Sequence, residues 1–415
     1  MARLRSLSLV IAVSLVVPLW AIPAVHGATF AATAPDPRAG VGMVYDAAHG
    51  VTLLFGGSDN QTYFKDTWAW NGSRWTALHP ATSPAGRALA GMAYDEAHGQ
   101  VVLFGGIGAG FELLGDTWTW DGTTWTQQHP AQSPSPRYGP GMVEDQARGD
   151  VLLFGGIGTG YFHDTWTWDG TTWTHPALPS DLPPSRFAMG LAYDQARAQV
   201  VLFGGETAEQ AQLGDTWTWD GRGWTEMNPP QSPSARSHFP MAYDPATSEV
   251  ILWGGLIGGL RDTWSWDGTT WVELDPAAGP SGRSDASMTA DPAGDLVLFG
   301  GGPGSYGFDG DTWTWDGSIW RVPFRTRLRS NPDSGPPGTA IEVRASGFGA
   351  YENIRLSFTD SLHGRTTLGV FLSDASGGLS ASTHIPLDAT VGSQVIDARG
   401  QFSQQRANTL FTVTP

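Results

Sequence analysis

The 415-residue chain contains no cysteine. Disulfides, thiol nucleophiles, thiolate metal sites and lipidation on cysteine are therefore excluded, and packing and hydrogen bonding must hold the fold. Basic residues are scarce: 23 Lys and Arg stand against 40 Asp and Glu, a net charge of −17. A chain of that sign is repelled by phosphate, which sets general nucleic-acid binding aside. Apolar runs are short except near the start, where Arg3 and Arg5 precede the stretch 7–17 and small residues follow at Gly27 and Ala28. This layout is that of a secretory signal, and the brevity of the run, ended by Pro18, argues against a membrane anchor. Residues 1–27 are expected to be a removed signal peptide, giving a secreted, cell-surface or periplasmic protein with no membrane span after cleavage.

What the chain has in abundance is tryptophan, 20 residues in all. Most fall in one decapeptide, "DTWTWDGTTW" at 116–125, which recurs from Asp66, Asp164, Asp215, Asp262 and Asp311 at intervals of 50, 48, 51, 47 and 49 residues. A fixed period of this size marks an array of similar units. Asp-Gly between β-formers is a strong hairpin signal, since both turn positions need positive φ. A two-residue turn at Asp121-Gly122 predicts Trp120 opposite Thr123 and Trp118 opposite Trp125. Trp118, Trp120 and Trp125 would then share one face, and Thr117, Thr119 and Thr124 the other. A sheet bulky on one side and small on the other can stack on copies of itself. Each buried indole contributes on the order of 2–3 kcal/mol to that stack.

Two further strands precede each hairpin, as in "RALAGMAYD" (87–95) and "VVLFGG" (101–106). The first is rich in Gly and Ala, as a strand crowded near an axis must be, and the second is a continuous apolar run suited to burial on both faces. Four strands in each of six units predict an all-β, six-bladed propeller. The pattern of proline-led arginine, apolar strand ending in Gly-Gly and aromatic hairpin resembles the kelch repeat over about 35–324, so 28–324 is expected to form a kelch-like propeller. The resemblance implies a fold that serves binding scaffolds and a few enzymes.

Spacing separates framework from candidate site. From the arginine (Arg38, Arg87, Arg137, Arg186, Arg236, Arg283) to the aspartate closing the first strand is always 8 residues, whereas the insert between Gly-Gly and "DTW" varies from 6 to 9. These inserts and the inter-blade connections emerge on one face, where loops on a rigid frame favour binding. The candidate contacts there are Tyr63, Phe64, Phe111, Tyr161, Phe162, His163, Tyr306 and Phe308, which suit sugar rings or a protein partner. The six arginines could seize a carboxylate of an acidic sugar, or they could pair with Asp66, Asp116, Asp164, Asp215, Asp262 and Asp311 and brace each blade against its neighbour.

After a linker at 325–333, residues 334–415 read as short alternating strands and resemble a bacterial immunoglobulin-like β-sandwich, a type usually found as spacer or adhesive unit. Kelch propeller followed by immunoglobulin-like domain is the order of the galactose oxidase family, but the copper site of that family needs a cysteine. Sialic acid mutarotases are also six-bladed kelch propellers, and the arginine ring is compatible with them, yet no acid/base pair matches a motif. "TWDGTTW" resembles the Asp-box of sialidases but is one residue short. Of the histidines only His163 and His238 are non-repeating residues near the loop face, too few for a metal site. No loop has the ligand density of a calcium motif. The expectation is an exported, non-catalytic recognition or adhesion protein without cofactor or metal, binding a glycan or partner protein. The alternative is an enzyme acting on a small anionic sugar.

Overall fold

The computed structural model describes residues 34–256, 259–276, 279–302, 307–323, 327–348, 352–374, 378–401 and 406–415. The expected signal peptide and the candidate Tyr306 lie outside these. The described chain is all-β: beyond 3-10 turns at Ala109–Phe111 and at Gly259, no helix occurs among the described residues. Six antiparallel units follow one another, blades 1 to 6, at 42–78, 91–128, 141–174, 190–227, 241–274 and 287–321. In each, four strands pair in chain order, and in blade 2 the short strand Arg87–Ala88 adds to the second strand.

The innermost strands, such as Gly42–Asp46 and Gly91–Asp95, run along the axis and carry Met and Tyr beside the expected small residues. The second strands are wholly enclosed, and Val101, Val102, Leu103 and Phe104 have no exposed surface. The hairpin differs from its expected form. Trp120 pairs with Trp125 and Trp118 with Gln127, so four residues, 121–124, make the connection. The Asp121 carboxylate accepts the backbone N–H groups of Thr123 and Thr124 at 2.8 and 2.9 Å, while Gly122 takes φ +94°. An Asx turn thus replaces the tight two-residue turn, and Thr124 sits in the loop. The three tryptophans still share a face, because Trp118 and Trp120 alternate on one strand and Trp125 lies opposite Trp120.

That face packs on the threonine side of the preceding blade. The indole of Trp125 donates to Thr67 Oγ1 at 3.0 Å and lies 5.2 Å from the Phe55 ring, both in blade 1. Trp173, Trp224, Trp271 and Trp320 make the same bond to Thr117, Thr165, Thr216 and Thr263 at 2.9–3.0 Å. Trp75 of blade 1 donates to Thr312 of blade 6 at 2.9 Å and packs with Val297 and Phe299. The row of six therefore returns on itself, through contacts of the kind that join its other members.

Residues 327–415 form two sheets, one of three strands and one of five, around a single core that includes Leu328, Val343, Phe358, Ile396 and Phe411. The strand Arg327–Asn331 pairs with Ala340–Ser346, so the sandwich begins inside the stretch expected to be a linker.

Candidate functional site: the loop end of the propeller axis

The conserved geometry of each repeat starts from its arginine. Arg137 has no exposed surface; its Nη1 and Nη2 donate to the two oxygens of Asp164 at 2.6 and 2.9 Å, and its Nε to Ser135 O at 3.0 Å. Arg38, Arg87, Arg186, Arg236 and Arg283 are also buried and pair with Asp66, Asp116, Asp215, Asp262 and Asp311. Each of these ion pairs lies within one repeat. The brace between blades comes instead from the arginine's backbone, since Gly106 N of blade 2 donates to Arg137 O at 2.8 Å. Gly57, Gly156, Gly205 and Gly301 do the same for Arg87, Arg186, Arg236 and Arg38. The Gly-Gly pair is required for this approach: at Gly56, φ is +73° and a Cβ would stand 2.5 Å from Arg87 O. The carboxylates of Asp116, Asp164, Asp215 and Asp262 are held below their ordinary pKa; burial opposes this, and the arginine bond and charge outweigh it. All six guanidinium groups are thus engaged inside the frame and away from a ligand's reach.

The sequence-selected aromatics divide. Phe64 lies over the Arg38 guanidinium, 3.6 Å from the ring centre, and Phe162 over Arg137 at 4.0 Å, so both cap the framework. Phe111 is 79% exposed on the tip of blade 2. Tyr63 and Phe308 are half-buried and His163 is exposed. Tyr161 alone enters a cluster: its ring meets Phe187 edge-on at 5.6 Å.

That cluster surrounds a feature the sequence did not announce. Two residues after each arginine stand Gly40, Leu89, Gly139, Ala188, His238 and Asp285, all with φ between +52° and +65°. Each N–H donates to the C=O of its counterpart one blade back, from Leu89 to Gly40 and onward to Asp285, and Gly40 N closes the circle on Asp285 O at 2.9 Å. Six left-handed residues thus make a continuous ring of hydrogen bonds about the axis, lining a cavity of about 160 Å³. A left-handed conformation is costly for Leu, Ala, His and Asp, and it persists here because both neighbours in the ring fix it.

The ring's framework is six-fold and its side chains are not. His238 Nδ1 and Asp285 Oδ1, neighbours in the ring, are 2.7 Å apart. His238 also meets Phe187 edge-on at 5.2 Å, and Phe187 meets Tyr138 at 6.0 Å. Tyr138 and Phe187 occupy the position after the arginine, where the other repeats have Ala39, Ala88, Ser237 and Ser284. Burial would lower the imidazole pKa, but the bond and charge of Asp285, with the charge of Glu206 beyond, raise it above its ordinary value. Burial and the same Glu206 raise the phenols of Tyr138 and Tyr161. Three aromatics, one histidine and two carboxylates therefore converge across blades 3 to 6. Comparing the residues one and two places after each arginine would have exposed Tyr138, Phe187, His238 and Asp285. Glu206, within a variable insert, had no such signal.

Residues 10–175 match the model of the KLHDC2/KLHL20/DRC7 Kelch-repeats domain. The chain is similar to Kelch repeats over that span. The match ends just past the third hairpin, and four-stranded units with the same strand order continue through three further blades. No curated protein matches the chain. Among solved structures, XC5397 from Xanthomonas campestris, described as a gluconolactonase, aligns at 15% identity over 65% of this chain and 86% of its own, with a TM-score of 0.41.

Proposed function

We propose that this protein is an exported, non-catalytic recognition module that binds a glycan or partner protein on the loop face of its propeller. The observation that carries this reading is the cluster of Tyr138, Tyr161, Phe187, His238, Asp285 and Glu206, where side chains found in single repeats gather about a six-fold ring. Flat aromatic surface beside a histidine–carboxylate pair suits sugar rings and the polar groups of a peptide alike. The alternative, an enzyme for a small anionic sugar, needs arginines free to meet the anion. Their pairing with six aspartates weighs against it, as does a chain charge of −17. On this reading the C-terminal two-sheet domain, which resembles bacterial immunoglobulin-like modules, is a spacer that presents the propeller.

A glycan array together with capture from a surface-protein extract tests the proposal, using the mature chain and its Tyr161→Ala and His238→Ala variants. Binding that is lost in both variants is the expected result. A ligand held equally by both, or no ligand in either screen, would overturn it.

A further inference from the structure

At the opposite end of the axis, where the tight turns lie, the innermost strands enclose a cavity of about 370 Å³. This volume is within the range of small-molecule sites. The residue before each closing aspartate lines it: Tyr45, Tyr94, Glu144, Tyr193, Tyr243 and Ala290. Tyrosine occupies four of six places. The two departures are in blades 3 and 6, which face each other across a six-membered circle. One wall carries a carboxylate, the wall opposite lacks a ring, and tyrosines flank the space between. The phenol oxygens of Tyr94 and Tyr193 accept Ala48 N and Ala147 N at 3.0 and 3.1 Å, which pins those side chains.

Glu144 is 9% exposed, and its Oε1 accepts Glu96 N at 2.7 Å. That bond replaces the tyrosine staple, yet a neutral residue could supply it. The charged groups facing Glu144 are carboxylates, Glu96 and Asp95, and among the described residues lining the cavity none is basic. A buried carboxylate without a cationic partner is costly to ionise. Burial, with those two charges, accordingly lifts its pKa to about 7. The cavity therefore has a buried carboxylate to match, an aromatic enclosure that favours cations, and a gap facing that carboxylate. Glu144 and Glu96, two carboxylates among thioethers and phenols, make a poor divalent-metal site, which needs several oxygens.

We propose that the turn-face cavity is a second binding site, for a small primary amine bearing a flat apolar group, with the ammonium on Glu144 and the flat group in the gap over Ala290. The site is separate from the loop face and does not depend on the function proposed for it.

Calorimetric titration of the full chain at pH 8 with phenethylamine, and with its neutral counterpart 2-phenylethanol, tests this. Phenethylamine is expected to bind saturably with one site and at least tenfold more tightly than the alcohol. Glu144→Gln should reduce the amine to the level of the alcohol, and Ala290→Tyr, restoring the ring found in four other blades, should abolish both. Affinity for the amine should rise about tenfold from pH 6 to pH 8 in the wild type and stay flat in Glu144→Gln. Absence of saturable binding, equal affinity for amine and alcohol, or an undiminished Glu144→Gln variant would each overturn the proposal. Should a variant fail to fold by near-UV circular dichroism, the amine-to-alcohol ratio on the wild-type chain decides.

Discussion

Replacing Trp75 by Phe tests whether the first and last blades are joined as firmly as any other pair. The Trp75 indole is 3% exposed and the Thr312 side chain it reaches is 1% exposed. Phenylalanine keeps most of the packing on Phe299 but removes the N–H, so the Thr312 hydroxyl loses its partner in a site closed to water. A stranded buried hydroxyl costs about 1–3 kcal/mol, and the missing part of the indole leaves a small void worth about 1 kcal/mol more. The expected loss is therefore about 3 kcal/mol, read as a shift in the urea midpoint followed by tryptophan fluorescence. Trp125→Phe is the internal standard, because its bond to Thr67 joins the same residue types at 3.0 Å, against 2.9 Å for Trp75, with both side chains buried. Thr312→Val, combined with Trp75→Phe in a double-mutant cycle, should give a coupling of about 1 kcal/mol. If Trp75→Phe is silent while Trp125→Phe is costly, blades 6 and 1 do not share the interface described, and the circle is broken there.

Two further outcomes follow from titrating groups. The buried Glu144 carboxyl has its pKa raised from 4.5 to about 7, so between those values the native state keeps a proton the unfolded chain has released. Its contribution to stability falls as pH rises through that window, by about 3 kcal/mol in all, and Glu144→Gln should gain that much on the wild type between pH 4 and pH 8 in parallel urea titrations. The His238 pKa is raised, so its pairing with Asp285 stabilises at low pH and that stability is lost as pH rises through the raised value. Asp285→Asn should lower the pKa, measured by NMR titration of the imidazole protons, and an unchanged value would refute the role given to Asp285.

The repetitive part of this molecule was legible because repetition multiplies a weak local signal: six copies of Trp, Asp-Gly and Gly-Gly point to the same strands, stack and ring. Single-residue geometry was less so. Asp121-Gly122 marks a turn correctly but does not show that the carboxylate of Asp121 will gather two N–H groups and lengthen the loop to four residues. The arginines were visible as a set, with bracing and ligand capture both chemically sensible. Burial decides between them, since a guanidinium with both ends hydrogen-bonded inside a blade is already saturated. The strand Arg327–Asn331 was hidden because five residues with two arginines lack a clear alternation. His238 and Asp285 are 47 residues apart and in different repeats, so only the closed ring makes them neighbours.

Each blade draws its four paired strands from one stretch of chain, and among the described residues no strand crosses from the end of the propeller to complete its beginning. The seam where the circle meets itself is thus chemically anonymous: side chains and backbone amides close it in the manner of its five siblings. Cutting the polypeptide at any connection between blades and rejoining the original ends would preserve every sheet.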